Sequence, residues 1–510
     1  MPLPFTSPRV LARALAATAA VIIFATLGLA PATRAQSLLA PERIALDSLA
    51  AFKPVTANWK LAAGLAGDPR RDKILAAAPG TGVLVCNPGI TPETRGHLFT
   101  AWEHGDLELD LEFLLAPGSN SGVYLQGRYE VQLFDSWGQK NPTSADCGGI
   151  YQRWDTARGT GKEGYEGTAP RANACRAPGL WQQLHIEFQA PRFDAAGKKT
   201  SNARFAKVVL NGFLIHENVE VTGPTRSAAA NDEKPLGALM IQGDHGAVAI
   251  RRLAWKNLEA AAAPAAGARK NGKAATRAAN RPAPKQILLA PPADRVRMQR
   301  GFVPFEPRKR LYATSVGTPA GVHFAYDLEA GSLLRVWRGA WLDTGEMWEG
   351  RGEPQLAKPN GPALTLNAKP TVAFIEFPRA TGWPETPDAM QSSQGYTLEA
   401  DGLPVFLSTL SGLAIRDRIA PTADGNALAR RLDFKGTLPS WDAEVLLAEA
   451  DAITPQPGGG WVVGDRDYYL DWPAGSAHQP AVRTVGDRQL LIVRLSKATL
   501  EAPLSYSLVW

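Results

Sequence analysis

Between Gly105 and Leu115 the chain alternates: Leu107, Leu109, Leu111, Phe113 and Leu115 fall on one side, and Asp106, Glu108, Asp110 and Glu112 on the other. A period of two predicts a half-buried strand, because successive side chains of extended backbone point to opposite faces. The pattern resumes in Gly122–Gln126 and, after a turn, in Arg128–Phe134. It returns in Gln183–Gln189, with Leu184, Ile186 and Phe188 inward. Lys207–Leu210 and Phe213–His216 flank Asn211-Gly212, a pair suited to the positive backbone angles of a two-residue hairpin. Ala238–Gln242 and Ala247–Trp255 flank a turn at Gly243–Gly246. The second half reads alike: Gly321–Leu328 and Ser332–Arg338 around Ala330-Gly331, Tyr396–Ala400 and Pro404–Ser408 around Asp401-Gly402, then Leu490–Leu495 and Tyr506–Trp510 as closing strands. No helical period runs beyond a few turns. Many short strands with Gly-rich turns predict an all-β chain, its first half a sandwich or jelly roll, its second half another β-rich domain.

Composition sets the boundaries. Residues 1–35 read as a signal peptide: Arg9 and Arg13, an apolar run Ala14–Ala30, then Pro31 and a small-residue cleavage site at Thr33-Arg34-Ala35. An uncleaved anchor is the alternative reading of that run. Residues 36–55 form a lead-in and 56–258 the first domain. Residues 259–285, almost entirely Ala, Arg, Lys, Asn, Gly and Pro, cannot bury a core and read as a flexible linker. Residues 286–510 form the second domain. The net charge of +6 comes from the ends of this division: the leader carries +3 and the linker +5, which leaves −2 for the folded parts. The basic balance therefore gives no reason to expect a nucleic-acid partner. The expected location is periplasmic or secreted, with no integral membrane domain after cleavage. Cys86, Cys147 and Cys175 permit one disulfide in an oxidising compartment; Cys147–Cys175 would staple a long polar segment, and three buried thiols are the other reading.

Candidate chemistry centres on the strand Arg128–Asp135. Period two puts Glu130, Gln132 and Phe134 on one face and Tyr129, Val131 and Leu133 on the other. An ordinary solvent-facing strand would look the same. Tyr124 and Gln126 on the preceding strand add a ring and an amide, the mixture that holds a sugar. Asp135 ends the strand, and a loop of over forty residues, Ser136–Pro178, follows with Gly148-Gly149-Ile150-Tyr151 and Trp154. Loops of that length are commonly functional. Gln242-Gly243-Asp244-His245-Gly246 sets a histidine in a turn, where an imidazole can act as a base. His185 and His216 read as surface residues. In the second domain His323, Asp343, Glu346, Glu349 and Glu353 lie in or near the tract Trp337–Glu353, which reads either as a ligand groove or as a surface packed on another domain. G-x-S-x-G, Walker A, H-E-x-x-H and C-x-x-C-H are absent, so serine hydrolase, nucleotide, zinc-peptidase and c-type haem readings lack support.

Asn120-Ser121-Gly122-Val123, Tyr129-Glu130-Val131-Gln132-Leu133-Phe134-Asp135, Gly149-Ile150-Tyr151, Leu210-Asn211-Gly212, Ile241-Gln242-Gly243-Asp244-His245-Gly246 and Ile250-Arg251-Arg252-Leu253 follow one another in an order and spacing that resembles the 3-keto-disaccharide hydrolase domain family. The resemblance covers roughly Thr56–Leu258 and implies a concanavalin A-like jelly-roll sandwich. It also implies cleavage of 3-keto-glycosides by removal of the C2 proton and β-elimination, followed by hydration. On that reading Glu130 or His245 is the base, and Asp135 assists or binds a divalent cation. Asn120, Ser121, Tyr124, Gln132, Tyr151 and Gln242 hold substrate. A sugar-oxidising dehydrogenase is the implied upstream partner. The second domain is similar, through Gly317-Thr318-Pro319, His323–Asp327 and Val336–Gly339, only to poorly characterised regions of large secreted bacterial proteins. The alternative function is a non-catalytic carbohydrate-binding or structural module of an exported redox complex.

Overall fold

The structure, a computed structural model, describes residues 42–258, 285–290, 293–305, 307–348, 355–375, 382–438 and 442–510. The expected leader and nearly all of the linker lie outside the described residues. Residues 41–510 form one compact unit, so the two β regions pack on each other.

The first region is a two-sheet sandwich. Its principal strands are β1 (Trp59–Ala66), β2 (Ala76–Cys86), β3 (Leu98–His104), β4 (Leu107–Leu115), β5 (Asn120–Leu125), β6 (Tyr129–Phe134), β7 (Trp181–Gln189), β8 (Ala203–Leu210), β9 (Phe213–Val221), β10 (Gly237–Ile241) and β11 (Val248–Asn257). The larger sheet runs β9-β8-β7-β4-β11-β2-β1, with Glu42–Arg43 added beside β11. The smaller runs β3-β10-β5-β6. The expected alternation holds in β4, whose Leu107, Leu109, Leu111 and Phe113 enter the core with Val123, Leu125, Tyr129, Val131, Leu133, Leu239 and Ile241 of the smaller sheet. The Asn211-Gly212 hairpin forms between β8 and β9, and both residues take positive φ. The Gly243–Gly246 turn does not close a hairpin. It carries the chain over the rim, from β10 in the smaller sheet to β11 in the larger. That crossing lifts His245 to one end of the sandwich.

Phe188 ties the sheets together: its ring centroid lies 5.5 Å from Tyr129 on the opposite sheet and 5.4 Å from Phe205 on its own. His216, expected on the surface, is 2 % exposed, because the long loop after β6 covers it and Nε2 meets the Gly148 carbonyl at 2.7 Å. His185 stays partly exposed between Asp110 and Glu187.

The second region has five-stranded, eight-stranded and four-stranded antiparallel sheets around a second core. The hairpins around Gly331 and Asp401-Gly402 form as expected. Inside, Asp417 pairs with Arg430 at 2.6 Å and accepts the Tyr326 hydroxyl at 2.9 Å. Removing either charge would strand the other away from water. His323, Trp337 and Trp341 are buried; Trp337 donates to the Trp341 carbonyl and His323 bridges Thr318 and Gly339. This part of the tract is therefore packing rather than a groove. Glu349 and Glu353 lie outside the described residues. Among the described residues no helix is long and apolar enough to cross a membrane.

Phe188→Ala removes the ring that joins the sheets and leaves a cavity. It is expected to cost about 3–5 kcal/mol in urea unfolding, in line with other Phe truncations. A loss under 1 kcal/mol would mean that the two sheets do not depend on this contact.

Candidate active site

The site lies on the face of the smaller sheet turned away from the sandwich core. Register lines its residues up in rows. Gly122 on β5 sits opposite Gln132 on β6, and the Gln242 amide donates to the Gly122 carbonyl from the other side. In the next row Tyr124 has Glu130 on one flank and Met240 on the other. Gly122 is a gap in the first row. A Cβ there would run into Glu130 Oε1, so only glycine lets the Glu130 side chain lie over β5.

The outer face of β6, which periodicity alone would leave half exposed, is covered. Glu130 is 1 % exposed and Gln132 4 %. The loop Ser136–Pro178 folds back along the free edge of β6. Gly148 donates to the Gln132 carbonyl, Gln132 to Gly149, and Tyr151 to the Glu130 carbonyl, at 2.8–3.0 Å. Gly149 is needed because a Cβ would strike the Ser144 carbonyl. The loop thus adds a β-bridge at Ile150 to the edge of β6, and it brings Tyr151 beside Glu130.

Gln132, with its amide turned as its neighbours require, donates to Glu130 Oε1 at 3.1 Å and to the Ser121 carbonyl at 2.8 Å. Glu130 Oε2, Asn120 Oδ1 and Gln242 Oε1 are buried and lack protein partners. Buried polar atoms are normally satisfied, so three unpaired ones on one sheet face suit a polyhydroxylated ligand, whose hydroxyls both donate to the two amide oxygens and accept from a protonated Oε2. Burial pushes the Glu130 carboxyl up to about 8. The nearby Tyr124 hydroxyl, turned to the Arg226 carbonyl at 3.3 Å, opposes that rise, and the charge of Asp244 adds to it. Burial first, then the Glu130 charge, raises the Tyr124 hydroxyl as well. Glu130 therefore carries a proton at neutral pH.

The rim holds the basic groups. His245 Nδ1 lies 2.6 Å from Asp244 Oδ1 and 3.2 Å from the Gln242 amide nitrogen. A proton on Nδ1 serves Asp244 and leaves Nε2 as an acceptor, the arrangement of an oriented base. His97 joins this group: Nδ1 lies 3.9 Å from Asp244 and accepts from the Gly243 amide at 3.3 Å. Burial lowers the His97 pKa, Asp244 raises it and His245 lowers it further. Asn58, 3 % exposed, holds the underside by donating to the carbonyls of Gly96 and Gly243, next to His97 and Asp244.

Of the residues expected at the site, Asn120, Tyr124, Glu130, Gln132, Tyr151, Gln242 and His245 come together. Two do not. Ser121 points to the sandwich core and donates to the Gln242 carbonyl at 2.7 Å, so it braces the site from behind. Asp135 is at the far end of β6, where its carboxylate accepts from the Gly118 amide at 2.8 Å and the Trp137 amide at 3.5 Å. Burial raises its pKa and those two bonds lower it. Of the two roles left open for Asp135, assistance or cation binding, neither gains a partner here: among the described residues no group of three or more His, Cys, Asp or Glu side chains is placed to hold a metal ion. Sequence reasoning missed His97, Asp244 and Asn58. Asp244 stood in view beside His245, but His97 is 148 residues from it in sequence and only sheet register brings them together. All three cysteines are buried thiols.

A face of unpaired amide oxygens and a buried carboxyl, edged by aromatic hydroxyls and an imidazole, is the equipment of a carbohydrate-active domain. Residues 55–260 match the family model described as the 3-keto-alpha-glucoside-1,2-lyase-like domain, a span that contains every site residue above. The first half of the chain is therefore similar to a family of carbohydrate-active domains. Among solved structures, a "putative glycosyl hydrolase" from Parabacteroides distasonis is 22 % identical over 42 % of this chain and 84 % of that one, with a TM-score of 0.29. A beta-1,3-glucanase from Mycobacterium marinum is 12 % identical over 42 % and 97 %, with a TM-score of 0.22. A carbohydrate-binding module from Bacillus subtilis is 7 % identical over 40 % and 100 %, with a TM-score of 0.20. No curated protein matches the chain.

The raised Glu130 pKa carries a signed consequence. Between its ordinary value of 4.5 and about 8 the unfolded chain releases this proton and the folded chain keeps it, so folding weakens as pH rises. Glu130→Gln removes the effect. Relative to this variant, wild type should lose about 1.4 kcal/mol per pH unit across that window and level off above it, read as urea midpoints from pH 4 to 9. A stability difference independent of pH would show an ordinary carboxylate.

Proposed function

We propose that the first domain cleaves 3-keto-glycosides by β-elimination and hydration. The observation that carries this reading is a buried Glu130 on the sheet face that also carries Gln242, whose amide adjoins an Asp244-oriented His245, within a family match to 3-keto-glucoside lyase-like domains. A ketone at C3 makes the C2 hydrogen acidic. His245 Nε2 takes that proton, and the electron pair moves to the C3 oxygen as an enolate. The Tyr124 hydroxyl, on giving up its long bond to the Arg226 carbonyl, would be the donor to that oxygen. The enolate returns to the ketone as the C1–O bond breaks, and Glu130 protonates the departing oxygen. Water then adds across the C1–C2 double bond: its oxygen bonds to C1 as Glu130 takes back a proton from it, and His245 returns its proton to C2, which restores both groups. The sum is hydrolysis, with release of a 3-keto sugar and an alcohol. Asn120, Gln242 and Tyr151 hold the ring hydroxyls.

The division of labour follows from environment. A carboxyl with a pKa near 8 is a poor resting base at neutral pH and a ready acid. The ketone has to be made upstream by an enzyme that oxidises a C3 hydroxyl. The same reading has the chain exported, with residues 1–35 removed; N-terminal sequencing of the mature protein should begin at Gln36, and an intact Met1 would contradict export by cleavage.

Release of nitrophenol from a 4-nitrophenyl 3-keto-glucoside by the full chain is the decisive assay. Glu130→Gln and His245→Ala should each slow it by about 10²-fold or more. Activity of the wild type should fall as pH rises through about 8, and that limb should vanish in Glu130→Gln. Binding without release would make the domain a sugar-binding module. Full activity in both variants would place the chemistry elsewhere.

A further inference from the structure

The second domain grips both ends of the loop that seals Glu130. At the first end, Trp137 donates from Nε1 to the Trp510 main-chain oxygen at 2.7 Å. The Arg338 guanidinium lies 5.3 Å from the Trp137 ring and 4.4 Å from that of Trp510, and it donates to the Trp510 oxygen at 2.9 Å and to the Asn426 carbonyl. At the other end, Tyr469 donates to the Pro178 carbonyl at 3.0 Å. Arg70 of the first domain stacks on the Tyr469 ring and forms a two-armed pair with Asp471. Ala177 and Leu180 share a small apolar cluster with Ala427, Val462, Tyr469 and Val509, and Trp137 packs against it.

From this joint a continuous line of bonds reaches the site. Trp137 adjoins Ser136, whose hydroxyl accepts the Cys147 amide at 3.1 Å. Asn173 crosses the base of the loop, donating to the Ser136 carbonyl at 2.6 Å and the Gln139 carbonyl at 3.0 Å. Cys147 leads directly into Gly148, Gly149 and Tyr151, the residues hydrogen-bonded to the β6 backbone at Gln132 and Glu130. A forty-residue loop has ample freedom to leave a sheet edge, and anchoring its two ends on the second domain lowers the entropic cost of ordering it.

We infer that the second domain is a positioning domain: through Trp137 and Arg338 it holds residues 148–151 against β6, and so keeps the site around Glu130 closed and dry. Trp137 and Arg338 are positioning residues and touch no reacting atom. The effect on turnover rests on the proposed function; the effect on the loop does not.

Trp137→Phe keeps a ring but loses the bond to Trp510, and Arg338→Met keeps the stem but loses the charge; both are made in the full chain. Amide hydrogen exchange at Gly148, Gly149 and Tyr151 should speed up at least tenfold in each variant, with the β4–β11 pairing in the larger sheet unchanged. In the nitrophenol assay kcat should fall more than KM rises, and the alkaline limb should move to lower pH as water reaches Glu130. Arg338→Lys should restore part of both. Unaltered exchange at 148–151 would overturn the inference whatever the assay gives. Faster exchange in a chain that releases no nitrophenol would uphold the clamp and sink the proposed reaction instead. Equal acceleration over the whole first domain would make the contact a matter of general stability and also overturn the positioning role.

Discussion

Everything at this site depends on keeping one carboxyl out of water. Burying Glu130 costs free energy, and the surrounding structure is arranged to bear that cost. Gly122 vacates the space over β5, Gln132 satisfies one carboxyl oxygen, and the loop residues 148–151 close the edge of β6 beside it. A proton stays on the group because its charged form is poorly solvated there. The second carboxyl oxygen, left without a partner, is the price of a site that awaits a ligand.

The fold was largely legible because it is written in period two. The Leu–acid alternation of 107–115 and the Asn211-Gly212 turn determine strand, face and hairpin almost without tertiary help. Two readings failed where tertiary contact overrides local pattern. The outer face of β6 and His216 on β9 both look solvent-facing in sequence, and both are covered by the same loop. A loop without periodicity gives no sign of where it will fold back. At the Gly243–Gly246 turn the sequence shows that the chain reverses, but not that it changes sheets.

The site was legible in part. Glu130, Gln132, Tyr124 and His245 stood out as polar or aromatic groups at positions where a strand or turn displays them. Asp135 looked equally good, since a carboxylate at a strand end suits catalysis, yet its oxygens cap the backbone of Gly118 and Trp137. His97 and Asn58 carry no local signal at all. Their roles exist only because β3 lies next to β10 in the smaller sheet, and Asn58 reaches both neighbouring turns from the start of β1. The second domain was the least legible, because its contribution to the site is made through a loop that belongs to the first.

The central claim is that Glu130 holds a proton at neutral pH. Difference infrared spectroscopy of wild type against Glu130→Gln, followed across pH, reads that proton directly. The protonated-carboxyl band should be present at pH 7 and should disappear with a midpoint near 8. A band already absent at pH 6 would mean an ordinary ionised carboxylate, and would contradict both the sealed site and the acid role built on it.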